Sequence, residues 1–294
     1  MSNLVLYSIP AFIALLLLEL AWSRRAQRAG REDIRGYYTK DTLASLSMGL
    51  INVAVAAGAK FLSIPFFAIL YEHRVVDIVE ATGGWAWVLL LVLEDHSYYW
   101  FHRMHHEVRL LWACHVNHHS SRYYNLSTAL RQAVLTPLTG PIFWAPLPLI
   151  GFPPWMVLTA QAWSLLYQFW LHTEAIDKLG PLEWVLNTPS HHRVHHGKNV
   201  PYLDKNHGGI FIIWDRLFGT FAPEREKVIY GLTTDIDTYN PLRIGFHELA
   251  AIGRDVAAAP TLGAKLGYVF MPPGWSHDGS TQTATQLQRA LPHQ

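Results

Sequence analysis

Histidines at repeated short spacings are the residues of this 294-residue sequence best suited to chemistry, since 13 of the 17 histidines lie between residues 96 and 207. Side chains at i, i+3 and i+4 share one face of a helix, so each group below can aim two imidazoles at one point. Neutral imidazole suits iron, zinc, copper or nickel. Eight histidines exceed the needs of one four-coordinate ion, so the pattern predicts a two-metal site. The groups are H-x3-H at His102 and His106, and H-x2-H-H at His115, His118 and His119 and again at His192, His195 and His196.

A structural explanation competes at each histidine, because a single histidine on an apolar face is usually a hydrogen-bonded core residue. The groups as a whole are unlike a tag or a low-complexity tract, which would be contiguous and lack interleaved Trp, Tyr and Leu. His105 and His191 flank the groups out of register. His191 with His195 would itself form H-x3-H, and we prefer His192 because it reproduces the spacing of the second group.

The composition indicates a chain with little water-facing surface. Hydrophobic residues make up 50% and charged residues 15%, against about 25% charged in a soluble domain. The net charge of +1 argues against a nucleic-acid partner held through phosphates. The single cysteine, Cys114, excludes an intramolecular disulfide, a thiolate zinc ribbon and a cysteine-bound iron–sulfur cluster. We predict that Cys114 is a small buried residue rather than a nucleophile.

Apolar runs predict several membrane spans. Residues Leu4 to Trp22 approach the roughly 20 that cross a bilayer, and the arginine-rich stretch after them marks the cytoplasmic side. A second run, Leu43 to Tyr71, returns outward, and a third, Trp85 to Phe101, delivers His102 to the cytoplasmic surface. Acidic residues near the inner end of the third run would be costly against lipid, so they should face the protein.

A helical hairpin and a polar cap complete the predicted arrangement. Residues Ala133 to Ile150 and Trp155 to Leu171 flank the breaker G-F-P-P and would dip into the membrane and return. The polar stretch from Thr188 to Pro223 would close over the metals. The predicted fold is all-α: a multi-span integral membrane helical protein with a cytoplasmic histidine-rich di-metal cap. Its domain is 1–271, and the Gly-, Ser-, Thr- and Gln-rich tail 272–294 is predicted to be disordered.

The three groups resemble those of the fatty acid hydroxylase/sterol desaturase superfamily, membrane-bound di-iron oxygenases. The resemblance covers roughly residues 89–221 and rests on H-R-x-x-H at His102, on both H-x2-H-H motifs, and on W-D-R-L-F-G-T-F after the last. Three segments are most similar to the alkylglycerol monooxygenase branch and its bacterial relatives: Y-Y-W-F-H-R, N-L-S-T-A-L-R-Q and N-T-P-S-H-H-R-V-H-H-G.

The resemblance implies two irons held by the eight histidines, with His172 of F-W-L-H-T-E as an additional ligand. The family often has another histidine four residues along, where this sequence has Ile176, which leaves one metal with an open or water-filled position. His207 stands in N-H-G-G where relatives commonly have an aromatic residue. It could fill a coordination gap, but we expect it to pack in the cap.

Carboxylates near the groups are candidates to orient the ligands. Asp95 precedes His102 by two helical turns, so it could accept the second N–H of a ligand imidazole. Glu107, Glu174 and Asp204 are lesser candidates for this role. We take Asp95 and Glu107 as the candidate catalytic carboxylates, and His96 is off the face of His102 and not expected to be a ligand.

The predicted chemistry is O2-dependent oxidation of an unactivated carbon, which requires a metal pair that changes oxidation state. Zinc fits the same ligands but has no redox chemistry, so zinc in a recombinant preparation would not decide the native metal. The substrate would be a membrane lipid with an alkyl, acyl or sterol chain, and spacing does not separate hydroxylation, cleavage and desaturation. The electrons must come from outside: the resemblance allows a tetrahydropterin, and a separate reductase is the default otherwise.

Two other functions remain to be weighed. A membrane metal-binding or metal-transport protein would place its ligands near the middle of the membrane, whereas here they follow the ends of the apolar runs. A membrane zinc hydrolase would be expected to carry H-E-x-x-H, which the sequence lacks.

Overall fold

Two long apolar helices begin the chain in the computed structural model, which describes residues 4–291. They are α1 (Leu4–Arg28) and α2 (Thr39–Glu72), with mean hydropathies of 2.3 and 2.0 over their most apolar stretches. Only 6% and 11% of those stretches are buried, and side chains such as Leu50 and Phe61 are exposed. A helix rises 1.5 Å per residue, so both are long enough to cross a bilayer core of about 30 Å. These features support association with a membrane.

Thirteen further α-helices follow within the described residues. They are α3 (Ile78–Thr82), α4 (Ala86–Glu107), α5 (Arg109–His119), α6 (Leu126–Ala129), α7 (Thr136–Thr139), α8 (Pro141–Trp144), α9 (Pro146–Leu149), α10 (Pro154–Phe169), α11 (Pro189–His195), α12 (Ile213–Phe218), α13 (Pro241–Ala258), α14 (Leu262–Phe270) and α15 (Ala284–Arg289). In the same residues the only extended pairings are two isolated bridges, Leu186 with Phe211 and Gly197 with Tyr230. The all-α prediction is therefore confirmed.

The predicted multi-span character is not confirmed, because α1 and α2 are the two helices of the described chain that are long and apolar enough to be candidate spans. The third predicted span is the first part of α4, which continues to Glu107 and buries ten residues against its neighbours. The predicted hairpin 133–171 has one regular arm, α10. Its other arm breaks into the four-residue helices α7, α8 and α9, because prolines interrupt the backbone hydrogen bonds.

The core around α4 explains why this helix is fixed in the protein interior. Leu90 and Phe101 of α4 pack with Trp144, Phe152 and Val157 in one buried apolar cluster. Each fully buried large apolar side chain contributes roughly 1.5–3 kcal/mol. The expectation that the acidic residues of this helix face the protein is also confirmed: the side chains of Glu94 and Asp95 are completely buried.

The C-terminal tail differs from its predicted disorder, because residues 272–291 are folded against the rest of the chain. The ring of Trp275 packs edge-on against Tyr268. Thr283 and Gln286 form a capping box at the start of α15, and the Gln288 amide donates to the Leu203 carbonyl at 2.8 Å. Composition alone does not register such specific caps and aromatic contacts. The last three residues of the predicted tail, 292–294, lie outside the described residues.

Candidate metal centre

The first two histidine groups meet because α4 and α5 are joined by a single residue. Val108 has extended torsions (φ −116°, ψ 120°), which end α4 and begin α5 in a new direction. His102 and His106 occupy the last turns of α4, and the second group occupies the last turn of α5. The C-terminal end of a helix carries a partial negative charge, so both helix ends favour a bound cation.

The third group enters on the short helix α11. Thr188 is extended (φ −131°, ψ 169°) and Pro189 opens the helix, the first-turn position where the missing N–H of proline costs no helical hydrogen bond. His192 and His195 lie on α11, and His196 is its C-cap. His172 follows α10 after a short turn.

The nine histidines predicted as ligands come together in two sets. Within each set, the potential ligand nitrogens all lie within 4.8 Å of one another. All nine are buried. We call them the five-histidine group and the four-histidine group. The five-histidine group is His102, His106, His115, His119 and His195, and the four-histidine group is His118, His172, His192 and His196. The groups are adjacent, since the His119 and His196 rings stack with centroids 4.4 Å apart.

Backbone carbonyls fix the orientation of four of these imidazoles. The Nδ1 atoms bond carbonyl oxygens at 2.9–3.0 Å, and because a carbonyl only accepts, Nδ1 carries the hydrogen and Nε2 keeps its lone pair. The pairs are His102 with the His207 carbonyl, His118 with that of Arg131, His172 with that of Gln168, and His195 with that of Lys205.

These tautomers create an electrostatic arrangement that favours a metal. The Nε2 atoms of His118 and His172 are 3.3 Å apart, and both carry lone pairs with no hydrogen between them. The repulsion between the lone pairs is relieved if a cation accepts both. Buried Nε2 atoms of His106, His195 and His196 also lack any partner in the protein. Since leaving such an atom unpaired costs about 1–3 kcal/mol, the residues fit a bound metal.

In eight of the nine histidines, burial lowers the pKa and so favours the neutral form that metal binding requires. Desolvation lowers the pKa of His118 to about 4. It also lowers the pKa of His119 well below the usual range, and a charge on neighbouring His196 would lower it further. At neutral pH the site therefore presents neutral nitrogen donors.

The two candidate catalytic carboxylates do not contact the histidines, which corrects the role expected for them. Asp95 accepts hydrogen bonds from the backbone N–H groups of Ile210 and Phe211 and from the Trp214 indole. Glu107 forms a 2.8 Å ion pair with Arg103 in a partly exposed position. Asp95 does not bond His102, its predicted partner, because the Nδ1 of His102 is already bonded to the His207 carbonyl.

Of the lesser carboxylate candidates, one does reach a histidine. Asp204 Oδ1 lies 3.4 Å from His106 Nδ1, and a backbone in the left-handed region (φ 52°) places it there. Glu174 accepts from the backbone N–H of Arg35 instead. An acidic partner for the second nitrogen is a common way to orient a ligand imidazole.

Sequence reasoning missed Asp215, which fixes the loop that carries the His207 carbonyl. Its carboxylate accepts from the backbone N–H groups of His207 and Gly208 at 2.7 Å and from the Thr220 hydroxyl at 2.6 Å. A Cβ at position 208 would lie 2.4 Å from the Phe211 carbonyl oxygen, so glycine is required for this close approach. The buried acid within W-D-R-L-F-G-T-F was the available signal.

The histidines in ambiguous registers take separate positions. His105 bonds the Phe101 carbonyl and the Thr139 hydroxyl. His191 faces Glu183 at 3.9 Å, outside both groups. His96, not expected to be a ligand, accepts from the Trp100 indole. Cys114 is buried as predicted, and burial raises the pKa of its thiol to about 11.

A cavity of about 490 Å³ reaches the histidines from the side of the C-terminal segment. His106, His119 and His195 line the cavity together with Trp112. Trp275, from the folded C-terminal tail, also lines it. Charged side chains that line the cavity form ion pairs with one another, including Arg109 with Glu248 and Lys198 with Asp235. The volume is within the range of small-molecule sites, so a reactant can approach the metal centre here.

Comparisons with known proteins agree with this site. Residues 87–220 match the family model described as fatty acid hydroxylase. The chain is 44% identical over 268 residues to an alkylglycerol monooxygenase of Homo sapiens, covering 90% of this chain and 58% of that protein. For the enzyme of the same name from Caenorhabditis elegans the identity is 37% over 258 residues, covering 84% of this chain and 50% of that protein.

A bacterial relative is similar over a comparable region. The ornithine lipid hydroxylase of Rhizobium tropici is 29% identical over 240 residues, covering 79% of this chain and 70% of that protein. No solved structure is a significant match. The chain thus spans between half and three fifths of the length of the two alkylglycerol monooxygenases above. The family model and these relatives show that residues 87–220 form a domain of the fatty acid hydroxylase superfamily.

Proposed function

We propose that this protein is an O2-dependent di-iron oxygenase that hydroxylates a membrane lipid carrying an alkyl or acyl chain. The observation that carries the proposal is the pair of adjacent, buried histidine groups, in which two Nε2 atoms lie 3.3 Å apart and a bound cation would relieve the repulsion between their lone pairs. Relatives named as an alkylglycerol monooxygenase and an ornithine lipid hydroxylase support a lipid as the substrate. Cleavage and desaturation begin with the same C–H abstraction and are the other outcomes to be distinguished.

The donor set supports iron as the working metal. The five-histidine group and the four-histidine group would each hold one ion through neutral nitrogens, a set that suits iron, copper or zinc. Iron, when bound, supplies the redox chemistry that activates O2, whereas zinc does not change oxidation state. The protein contributes ligands preoriented by backbone carbonyls, and burial that excludes water from the reacting atoms.

The approach of the reactants follows from the distribution of polar and apolar surface. The exposed apolar faces of α1 and α2 would hold the protein in the membrane that contains the substrate. The 490 Å³ cavity, with paired charges in its wall, would admit the polar end of the lipid or the reduced donor. That donor would be a tetrahydropterin or a reductase.

The predicted topology remains part of the proposal, with the histidine groups on the cytoplasmic face. Arg24, Arg25 and Arg28 at the end of α1 support it, since positive charge marks the cytoplasmic side. Cysteine labelling in a Cys114→Ala background tests it. A cysteine placed at Asn199 should be protected from an impermeant reagent outside the cell, and external labelling would reverse the assignment.

Metal transport is the competing function, and two observations weigh against it. Both histidine groups are formed largely at the ends of α4, α5 and α11, not along a helix that meets the requirements of a span. None of the relatives named above is a transporter.

The deciding experiment is lipid analysis under 18O2. Cells expressing the protein with added iron are compared with cells expressing His119→Ala, which removes a nitrogen of the five-histidine group. A lipid carrying 18O only with the unaltered protein supports hydroxylation or cleavage, and a new double bond without label indicates desaturation.

His105→Gln is the matched control, since His105 is equally buried but bonds only to Phe101 and Thr139. It should retain the labelled product. If purified protein containing reduced iron fails to consume O2, the oxygenase function is wrong.

A further inference from the structure

His207 is the side chain in residues 4–291 with two buried polar atoms and no hydrogen-bond partner for either. The residue is completely buried. Burial lowers the pKa of His207 well below the usual range, and the charge of Arg103 lowers it further. The nearby Asp204 carbonyl opposes this lowering but lies outside hydrogen-bonding geometry. An unpaired buried polar atom costs about 1–3 kcal/mol. A phenylalanine would fill this position without that cost, so packing does not account for an imidazole here.

The ring of His207 stands at the edge of the five-histidine group. Its centroid is 5.1 Å from that of His106 and 5.6 Å from that of His195, while two members of the group, His102 and His106, are themselves 5.3 Å apart. His106 and His195 are also the members of this group whose Nε2 atoms have no partner. The unpaired nitrogens of three imidazoles therefore lie in one region.

The backbone of His207 is already part of the centre. Its carbonyl accepts from His102 Nδ1 at 2.9 Å, and its N–H donates to Asp215 at 2.7 Å. The first bond fixes the backbone of His207 relative to α4 and the second fixes it relative to α12. Rotation about the side-chain torsions is then the freedom that remains for bringing a ring nitrogen to a metal.

We propose that His207 is a tenth metal-binding histidine, which supplies a ring nitrogen to the ion held by the five-histidine group on the side of His106 and His195. The inference rests on the proposed function only in requiring that the centre bind a divalent metal. It concerns coordination and is testable without oxygenation.

The test uses purified full-length protein loaded with Co2+, whose visible absorption reports the number and geometry of its ligands. His207→Phe is compared with His105→Phe, a control that removes an equally buried imidazole whose nitrogens bond Phe101 and Thr139. We expect His207→Phe to weaken one of two Co2+ positions by at least about tenfold against a chelator, within the 10–100-fold range seen when even outer partners of a ligand are removed. Its spectrum should change, whereas that of His105→Phe should not.

A second variant covers the case in which His207→Phe does not fold. In His207→Ala, added imidazole should restore the Co2+ affinity and the spectrum, an effect that a packing role does not predict. Two Co2+ ions bound with unchanged affinity and spectrum in His207→Phe would overturn the proposal, as would a folded His207→Ala that ignores imidazole. If the unaltered protein binds two metals but its iron form does not react with O2, the proposed function alone fails.

Discussion

Replacement of Asp95 by asparagine tests how the centre is held in place. Asp95 is completely buried on α4, and its two oxygens accept three hydrogen bonds, at 2.5 Å from Ile210, 3.0 Å from Phe211 and 2.9 Å from Trp214. These bonds tie α4 to the loop whose His207 carbonyl orients His102. Asp95 is therefore a positioning residue, two bonded steps from the nearest ligand.

The expected loss of stability follows from the number of oxygen atoms that can accept a hydrogen bond at position 95. The side chain of asparagine has one oxygen, so Asp95→Asn keeps the hydrogen bonds of only one of the two carboxylate oxygens. Its amide NH2 group replaces the other oxygen and faces a backbone N–H. Burial raises the pKa of Asp95 to about 7, so above that pH the substitution loses a hydrogen bond to a charged acceptor, worth about 1.5–3 kcal/mol. It also leaves a buried donor unpaired, at about 1–3 kcal/mol. We expect a stability loss of roughly 3 kcal/mol, and iron affinity about 10–100-fold lower because the His102 acceptor shifts.

Thermal unfolding in detergent and competition with an iron chelator measure these two effects. The matched control is Glu94→Gln, because Glu94 is equally buried but has one bond, from the Trp144 indole to Oε1, which glutamine preserves. Its Oε2 has no partner to lose. If Asp95→Asn matches Glu94→Gln in both melting temperature and iron retention, the positioning argument is refuted.

Three further outcomes are expected. Deleting residues 272–294 should speed iron removal by a chelator, since the tail walls the 490 Å³ cavity; an unchanged rate would contradict this. Metal-free protein should lose stability as pH falls from about 6.5 toward 4, because His118 is neutral when folded with a pKa of about 4 and protonates more readily when unfolded, a contribution on the order of 3 kcal/mol; a flat melting profile would argue otherwise. Arg131→Met should cost about 3–5 kcal/mol by leaving the buried Asp41 carboxylate unpaired, and adding Asp41→Asn should restore most of it.

The spacing of the histidines predicted eight of the nine members of the two groups, because i, i+3 and i+4 positions share a helical face whatever the rest of the fold does. The ninth, His172, was implied by the family resemblance and not by spacing. Repetition of the spacing of the second group favoured His192 over His191, and the structure places His192 in the four-histidine group and His191 against Glu183. The rule failed for Asp95. A shared helical face makes contact possible, but the Nδ1 of His102 is bonded instead to the backbone carbonyl of His207, more than 100 residues away in the sequence.

Hydropathy predicted α1 and α2 but not the state of the segments after them. Trp85 to Phe101 has an apolar composition that either a lipid-facing span or a buried core helix can carry, and only its neighbours decide between them. In the structure those neighbours include Trp144 and Phe152, which bury this helix. The tail was misjudged for a similar reason, since a few specific contacts, such as that of Gln288 with the Leu203 carbonyl, outweigh its polar composition.

The sequence by itself determined which donors the protein has, because side-chain chemistry and helical spacing are local properties. Only the tertiary structure decided how those donors are divided between two adjacent groups, which nitrogen of four imidazoles keeps its lone pair, and that the unpaired ring nitrogens of His207 lie beside His106 and His195. These outcomes depend on carbonyl groups of Arg131, Gln168, Lys205 and His207. Every residue has such a carbonyl, so its direction is set by the fold and leaves no trace in the residue type.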